Sequence, residues 1–436
     1  MTRSPDVLVV GAGFAGVAAA TALAERGARV VILETRQRAG GRAYSWTDPR
    51  TGEVRDNGQH VLASFYDETL RLLDRLGTRS ALDADPTLRL HVWERGRECY
   101  RFVCPDLPGP FHWLAAMGSC DGLSLSSRLE ALRLRSRARD LLRRNGNGAS
   151  VTVQEWMDWG PGGGDLTALL WPIALAALNE LPGDASAVLF ARVIDRLLDA
   201  PASRTGLALP RRGLADLIEG FEEYVTRRGG EVRYRATALG VRIEEGRATG
   251  VSLLGGERLA ASAVILAVPH ERIGWMLRPD VLAPYREIAA IPWSPIVSTV
   301  HTFDRPILPT RMVALLGTRT HWAFDKGPVA GGHAVGTVRS AATPDLEREI
   351  AEIASETEAE LRDVFPGARE ARLVVSRVYK ERRATMRATP EAECARPAAE
   401  TAVPGLVLAG DWTATGLPPT IEGAVLSGHR AAELVR

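Results

Sequence analysis

The feature that most constrains the fold of this chain is a strand–turn–helix–strand pattern within its first 34 residues. Asp6–Val10 is a short apolar run rich in β-branched residues, which predicts a buried parallel strand. The Ala- and Leu-rich stretch that ends at Glu25 predicts a helix, and Arg29–Leu33 predicts a second strand. A helix that returns the chain to a parallel neighbouring strand builds an α/β sheet. We therefore predict an α/β domain built on a parallel sheet.

The turn between the first strand and the helix has the glycine spacing of a dinucleotide-binding site, G-x-G-x-x-G. Its residues are Gly11, Gly13, Phe14, Ala15 and Gly16. The first glycine permits a tight turn, the second lets the backbone approach a pyrophosphate, and the third lets the helix lie close to the strand. The helix N-terminus offers N–H groups to the phosphates. Glu34, which ends the second strand, is placed to accept hydrogen bonds from a ribose, and Thr35 and Arg36 follow it in the predicted site.

A second glycine-rich turn, Ala39–Arg42, follows the second strand, and Asp56–His60 comes soon after. A domain that binds only a nicotinamide dinucleotide has no need for a Gly-Gly-Arg turn at this place. A flavin domain does, because Gly40 and Gly41 admit the extended FAD and Arg42 neutralises its pyrophosphate. With these segments the chain resembles the superfamily of flavin-containing amine oxidases and phytoene desaturases.

The C-terminal segment carries the other half of the predicted site. Gly405–Ala409 predicts a buried strand, and Gly410 and Asp411 follow it, so that Asp411 is placed to hold a ribityl hydroxyl. The terminal helix, whose N-terminus would face the flavin N1/C2=O edge, begins near four predicted site residues. They are Pro419, Thr420, Ile421 and Glu422. The resemblance further implies cofactor contacts from Asn57, Gly58, Gln59, His60 and a backbone group near Ala238.

The pattern along the chain predicts two domains. Residues 1–80, 206–271 and 401–436 would form one discontinuous, Rossmann-like FAD-binding domain of the glutathione-reductase/amine-oxidase type. Residues 81–205 and 272–400 would form a mixed α+β substrate-binding domain with a helical, membrane-facing part.

Local patterns predict further elements of these domains. A hairpin should turn at Arg95-Gly96, and Phe111–Leu142 should form two helices. Leu166–Leu178 predicts a helix that is apolar on nearly all faces but is too short for the ~20 residues of a membrane span. Ala215–Arg228 and Asp345–Val364 predict long helices.

The composition disfavours several functional classes. A formal net charge of +1 over 436 residues gives no broad basic surface, so nucleic acid is not an expected partner. The four cysteines show no metal-type spacing, and no metal is expected. The first strand begins almost at the N-terminus and leaves no room for a signal peptide. We therefore expect a cytoplasmic protein, soluble or peripheral on the cytoplasmic membrane.

Within the superfamily the chain is similar to the hydroxysqualene dehydroxylases, also called squalene-associated FAD-dependent desaturases. The matching blocks are Asp56–Leu62, Trp171–Asn179, Leu209–Leu214, Trp293–Ile296, Glu381–Thr385 and Leu408–Ala424. Because these blocks span nearly the whole chain, the resemblance implies an oxidoreductase with non-covalent FAD. Its reaction would be the reductive removal of the allylic hydroxyl of hydroxysqualene, an apolar C30 isoprenoid, to give squalene in squalene or hopanoid biosynthesis.

This reaction needs a proton donor, because a neutral hydroxyl leaves poorly. His60 is the first candidate, since histidine can carry a proton near neutral pH, and Gln59 is a second. A His60 that only orients flavin or backbone fits the sequence equally well. Asp56 and Glu422 are weaker candidates.

Other functions fit parts of the pattern. A carotenoid-type polyene desaturase would move hydride in the opposite direction. A flavin amine oxidase usually has a lysine near flavin N5, expected here on Pro295–Thr299, whereas Lys326 and Lys380 lie elsewhere in the sequence. A flavin-stabilised carrier of polyprenyl lipid is the non-enzymatic alternative. The chain has no second dinucleotide motif, so the electron donor is left open, and Leu166–Leu178 and Phe111–Leu114 are the predicted membrane contacts.

Overall fold

The computed structural model describes residues 5–49, 52, 54–108, 111–144, 150–158 and 163–435. Its strands are β1 (Val7–Val10), β2 (Val30–Glu34), β3 (Ser45–Thr47), β4 (Val54–Asp56), β5 (Leu62–Ala63), β6 (Leu82–Ala84), β7 (Arg89–Glu94), β8 (Arg97–Val103), β9 (Leu207–Pro210), β10 (Glu231–Tyr234), β11 (Ala238–Glu244), β12 (Arg247–Leu253), β13 (Arg258–Ala260), β14 (Ala263–Leu266), β15 (Trp293–Phe303), β16 (Met312–Leu315), β17 (Trp322–Val329), β18 (Gly332–Arg339), β19 (Leu373–Met386) and β20 (Leu406–Leu408). Its α-helices are α1 (Phe14–Glu25), α2 (Asp67–Leu76), α3 (Phe111–Ser119), α4 (Leu125–Arg144), α5 (Val153–Trp156), α6 (Gly164–Leu178), α7 (Ala187–Asp199), α8 (Phe221–Thr226), α9 (His270–Met276), α10 (Pro279–Leu282), α11 (Arg286–Ala290), α12 (Ile350–Val364), α13 (Pro390–Ala395) and α14 (Ile421–Leu434).

A parallel sheet of order β10–β2–β1–β14–β20 gathers strands from distant parts of the chain. Four of these strands are buried throughout, which explains why they are continuous apolar runs and not alternating ones. One face packs against α1 and α14, and the other against the small sheet β11–β12–β13. The α1–α14 contact is close, since a Cβ on Gly428 would lie 2.1 Å from the carbonyl oxygen of Ala15.

A second sheet has the order β19–β15–β18–β17–β16–β7–β8 and is antiparallel except for the β16–β7 pair. Helices α3, α4, α6 and α7 form apolar clusters with each other and with strands β7 and β8. The strand β19 ends in the predicted motif Glu381–Thr385, so that this motif lies in the sheet. The FAD-domain limits given above stay a prediction, although the parallel sheet joins strands from all three proposed segments.

Most of the predicted elements are confirmed, and two helices are corrected. The predicted helix Ala215–Arg228 is wrong as one element: residues 214–218 form a 3₁₀ turn, and Gly220, at φ +77°, separates it from α8. The helix predicted from Asp345 begins only at Ile350. The carboxylate of Asp345 instead accepts hydrogen bonds from Arg339 and Arg348.

The apolar helix Leu166–Leu178 is confirmed as α6, but it lies inside the protein. Seven of its residues are buried, including Pro172. The structure therefore does not present this helix as a lipid-facing surface. Within the described residues, no helix is both long enough and apolar enough to span a bilayer.

Candidate functional site

The predicted glycine motifs meet at the carboxyl ends of β1 and β2, where they form a glycine cradle (Gly11, Gly13, Gly16, Gly40 and Gly41). Gly11 has φ +103°, and a Cβ there would lie 2.4 Å from the carbonyl oxygen of Ala267. A Cβ on Gly16 would lie 1.9 Å from the Gly11 oxygen, and one on Gly41 would lie 3.1 Å from Gly13 Cα. Larger residues would therefore separate the turn, the helix and the second loop from one another.

The first turn of α1 is open to an anion. Gly13 is its N-cap and provides no side-chain hydrogen bond, and the first turn contains no acidic residue. The side chains of Phe14 and Ala15 are buried in the core, so only their backbone groups can contact a nucleotide. Free N–H groups and the helix dipole favour a phosphate at this position.

Glu34 lies beside the cradle and is almost completely buried. Its two carboxylate oxygens accept hydrogen bonds from Ala12 N and Arg36 N, each at 2.9 Å. Thr35 contacts Thr237 through the two hydroxyl groups. This contact brings the start of β11, where Ala238 lies, next to the ribose side of the predicted site.

Arg42 and Asp411 lie together on the other side of the cradle. Arg42 Nη2 donates to Asp411 Oδ1 at 2.5 Å, and Asp411 is buried. Asn57 Nδ2 donates to Arg42 O at 2.7 Å and to Glu381 Oε2 at 3.1 Å. The structure thus brings together the predicted residues Arg42, Asn57 and Asp411. It adds to them the carboxylate of Glu381, which was not among the predicted site residues.

The N-terminus of α14 lies near the end of β20. Gly410 N donates to Ser427 Oγ of this helix at 2.8 Å, and Thr420 caps its first turn. Pro419 precedes the cap, and Ile421 is the first helical residue.

The carboxylate of Glu422 is engaged elsewhere. It accepts hydrogen bonds from Thr69 N at 2.9 Å, Thr69 Oγ1 at 2.8 Å and Glu68 N at 3.2 Å, at the start of α2. Arg196 also donates to it at 3.2 Å. A cofactor contact from Glu422 would therefore have to come from its backbone.

A separate polar triad (Gln59, His60 and Lys326) forms where the Asp56–His60 segment meets the second sheet. Lys326 Nζ donates to Gln59 Oε1 at 2.7 Å. His60 Nδ1 lies 3.1 Å from Gly58 O, so Nδ1 carries the proton and Nε2 is left as the acceptor of the neutral ring.

The charge state of this triad follows from its surroundings. Burial is the main effect that lowers the pKa of His60, and the charge of Lys326 lowers it further against the opposing effect of Asp56. Burial also lowers the pKa of Lys326. At neutral pH His60 is therefore neutral, with its proton on Nδ1.

Lys326 was missed by the sequence analysis, which set both lysines aside because neither lies on Pro295–Thr299. The structure brings it into the site from β17. A signal was present, since lysine occurs only twice in a chain with 54 Lys and Arg residues. The position of the lysines therefore no longer disfavours amine oxidation.

Ser298 on β15 adds an unpartnered polar atom beside the triad. Its side chain is buried, and within the described residues its Oγ has no hydrogen-bond partner. This Oγ would lie 3.7 Å from a Cβ on Gly58. An unsatisfied buried hydroxyl here indicates a place for a ligand group.

These features fit a flavin dinucleotide. The glycine cradle, the open α1 N-terminus and Glu34 suit the adenosine and pyrophosphate, and the carboxyl edge of the sheet continues to Asp411 and α14. A dinucleotide at this edge would extend from the cradle towards the polar triad. The fold and the site define a flavin-dependent oxidoreductase of the FAD-binding type.

The chain belongs to the flavin containing amine oxidoreductase family, whose model matches residues 14–436. It is 31% identical over 459 residues to a hydroxysqualene dehydroxylase of Rhodopseudomonas palustris, covering 99% of this chain and 98% of the relative. A 15-cis-phytoene desaturase of an Oncidium hybrid cultivar is 24% identical over 465 residues, covering 99% of this chain and 77% of the relative. An oxidoreductase from Methanosarcina mazei has a similar fold, with a TM-score of 0.73 at 19% identity over 98% of this chain and 99% of its own. The predicted family and a flavin cofactor are thus confirmed.

Proposed function

We propose that this protein converts hydroxysqualene to squalene by reductive dehydroxylation with non-covalently bound FAD. The observation that carries the proposal is the 31% identity, over nearly the full length of both chains, to a hydroxysqualene dehydroxylase. The site supports it, because the polar triad adjoins the predicted flavin site and Val61, next to His60, packs against an apolar cluster.

Different residues of the chain would bind different parts of the cofactor and the substrate. The glycine cradle and the α1 N-terminus would bind the pyrophosphate, and Glu34 would bind the ribose. The Arg42–Asp411 pair would contact the ribityl chain of the flavin. Bound reduced flavin supplies the hydride for the carbinol carbon. Gln59 and His60 would hold the substrate hydroxyl by hydrogen bonds, with His60 Nε2 as an acceptor.

The test is product identification from hydroxysqualene under anaerobic conditions with chemically reduced holoenzyme. Squalene is expected to appear in proportion to the reduced flavin consumed. If no squalene forms, and oxidised enzyme converts phytoene or squalene into a more unsaturated product, the protein is a desaturase. That alternative is favoured by the 24% identity to a phytoene desaturase over 99% of this chain. Oxidation of amines with no conversion of either polyene would contradict both functions.

An apolar cavity offers a place for the isoprenoid chain. The cavity has a volume of about 140 Å³, room for part of such a chain, and it opens to solvent. Its walls come from α3, α4, α6, α7 and the β7–β8 hairpin, and include Trp113, Phe102 and Ile173. Several of its wall residues belong to one apolar cluster against which Val61, next to His60, also packs. This cluster connects the cavity walls with the polar triad.

The mouth of the cavity opens at an apolar patch on α3 and α4, and we propose that this patch contacts the cytoplasmic membrane. The patch consists of Phe111, Leu114, Leu125, Leu129 and Leu132, each with 45% or more of its surface exposed. Leu114 and Leu132 also line the cavity. Helix α4 carries seven arginines and two acidic residues, which suits an anionic lipid surface. A substrate dissolved in the bilayer could enter here without crossing water.

Flotation with vesicles tests this surface. We expect L125E/L129E to bind vesicles containing about one third phosphatidylglycerol roughly 30-fold more weakly than the native protein, since two leucines no longer enter the lipid. L254E is the matched control, because Leu254 is 69% exposed and lies outside the patch. Equal flotation of all three proteins would remove the patch as the contact surface.

A further inference from the structure

The backbone directs Lys326 out of the regular alternation of β17. Asp325 pairs with Val335 and Gly327 with Ala334, so that Lys326 is the extra residue of a β-bulge. The carboxylate of Asp325 fixes the bulge by accepting hydrogen bonds from Gly327 N at 2.7 Å and His333 Nε2 at 2.5 Å. A bulge of this kind redirects a side chain and is frequent beside active sites.

A glycine on the neighbouring strand lies directly against the redirected side chain. A Cβ on Gly336 would lie 3.4 Å from both Cγ and Cδ of Lys326, which is within contact, and 3.9 Å from Gln59 Oε1. The ammonium therefore reaches Gln59 across β18. Gln59 is its only hydrogen-bond partner among the described residues, which leaves two N–H groups for a ligand.

Lys326 is accessible to solvent but has protein close around it. Its side chain is accessible to solvent, yet burial by the surrounding protein lowers its pKa. The charged and titratable groups facing it are Asp56 on β4 and His60, and Glu381 on β19 acts on His60 in turn. Because His60 is neutral, Lys326 is the group of the triad that can release a proton.

We propose that Lys326 is the catalytic residue that protonates the departing hydroxyl, which rests on the dehydroxylation proposed above. The C–O bond of the carbinol breaks, and the oxygen leaves as water with a proton from Lys326 Nζ. The carbon gains a hydride from two-electron-reduced flavin. The neutral amine of Lys326 then regains a proton from solvent, so that the reaction consumes one hydride and one proton per hydroxyl.

Three single variants separate proton donation from charge. K326M removes both, and we expect kcat for hydroxysqualene to fall about 10²–10⁴-fold with flavin still bound. K326R keeps the charge and a donor for Gln59, but arginine does not release its proton, so the same loss is expected. K380R is the control, because Lys380 Nζ donates to Leu346 O at 2.9 Å, away from the triad. Native turnover by K326R would show that only the charge matters and would overturn the proposal.

A substrate whose leaving group departs without being protonated provides a second readout. With an electron-poor carboxylic ester of hydroxysqualene, we expect K326M to react within about threefold of the native enzyme, because the carboxylate needs no acid. An equal loss for alcohol and ester would indicate a structural role and refute proton donation. If native enzyme converts neither compound, the proposed function itself fails, which is distinguishable from failure of the lysine assignment.

The proton affinity of Lys326 can be measured without turnover. In K380R it is the only lysine, so the pH dependence of its labelling by an amine reagent, followed by mass spectrometry of the holoenzyme, reports its pKa directly. We expect half-maximal labelling below the ordinary pKa of a lysine. In the native enzyme the rate of product formation should fall as pH rises through the same value. In K326M the rate should not show this decrease with rising pH. A labelling pKa at or above 10.4 would contradict the proposal.

Discussion

Replacement of Glu422 distinguishes a residue that binds flavin from one that holds the fold. Its side chain is almost completely buried in α14, and its carboxylate accepts two hydrogen bonds from Thr69, which is itself inaccessible to solvent. In E422A the N–H and O–H of Thr69 would lose their partner without gaining water. Each unsatisfied buried donor costs about 1–3 kcal/mol, so we expect roughly 3 kcal/mol less stability for the first turn of α2. E422Q keeps one acceptor oxygen and should lose about half of that.

Hydrogen exchange read by mass spectrometry measures this loss locally. A change of roughly 3 kcal/mol corresponds to about 100-fold faster exchange of the α2 amides. E433A is the matched control on the same helix, because Glu433 is exposed. The reasoning is refuted if α2 keeps its protection in E422A while flavin affinity falls tenfold, since Glu422 would then act on the cofactor directly.

Three further predictions concern the glycine cradle, the unpartnered hydroxyl of Ser298 and the pH dependence of stability. G16A should yield colourless protein with flavin affinity at least about tenfold weaker, since its Cβ would lie 1.9 Å from a backbone oxygen; native absorbance of bound flavin would contradict this. S298A should leave the free energy of unfolding of the apoprotein unchanged while weakening ligand binding. S294A, which removes a buried hydrogen bond, should lower the free energy of unfolding by about 1 kcal/mol. Equal urea midpoints for the two variants would refute the assignment of Ser298. Burial lowers the pKa of His301 to about 4, so the unfolded chain binds more protons between pH 6.5 and 4, and stability is lost as pH falls through that range. The His301 contribution lost at pH 5 is about 2 kcal/mol, and H301N should show a drop between pH 7.5 and 5 that is smaller by that amount in urea unfolding.

The N-terminal half of the flavin site could be predicted from sequence because its signals are local. The strand, the glycine spacing and Glu34 lie within one continuous segment, and Gly11 and Gly16 lie too close to backbone atoms to carry a Cβ. Asp411 could be predicted as well, since it directly follows a buried apolar strand. In such places the same residues specify both the fold and the binding chemistry.

The polar triad could be predicted only in part, because it depends on pairing between distant strands. Gln59 and His60 belong to a recognisable segment, whereas Lys326 reaches them through a bulge that has no local signature. For Glu422, the side-chain contact could not be predicted for a related reason. Its position in the motif suggested a flavin contact, but its side chain turns towards a helix some 350 positions earlier in the chain.

The order of strands in the parallel sheet has a consequence for biosynthesis. β1 leaves the ribosome early, but its neighbour β14 and the outer strand β20 follow about 255 and 400 residues later. At typical translation rates of about 5–20 residues per second, the first strand waits roughly 20–80 s for its last companion. Until β14 pairs with β1 and α14 packs against Ala15, the nascent chain exposes an unpaired strand edge and an apolar face that invite aggregation. A polypeptide terminated before α14 is therefore expected to need chaperones throughout and never to acquire the yellow colour of a flavoprotein.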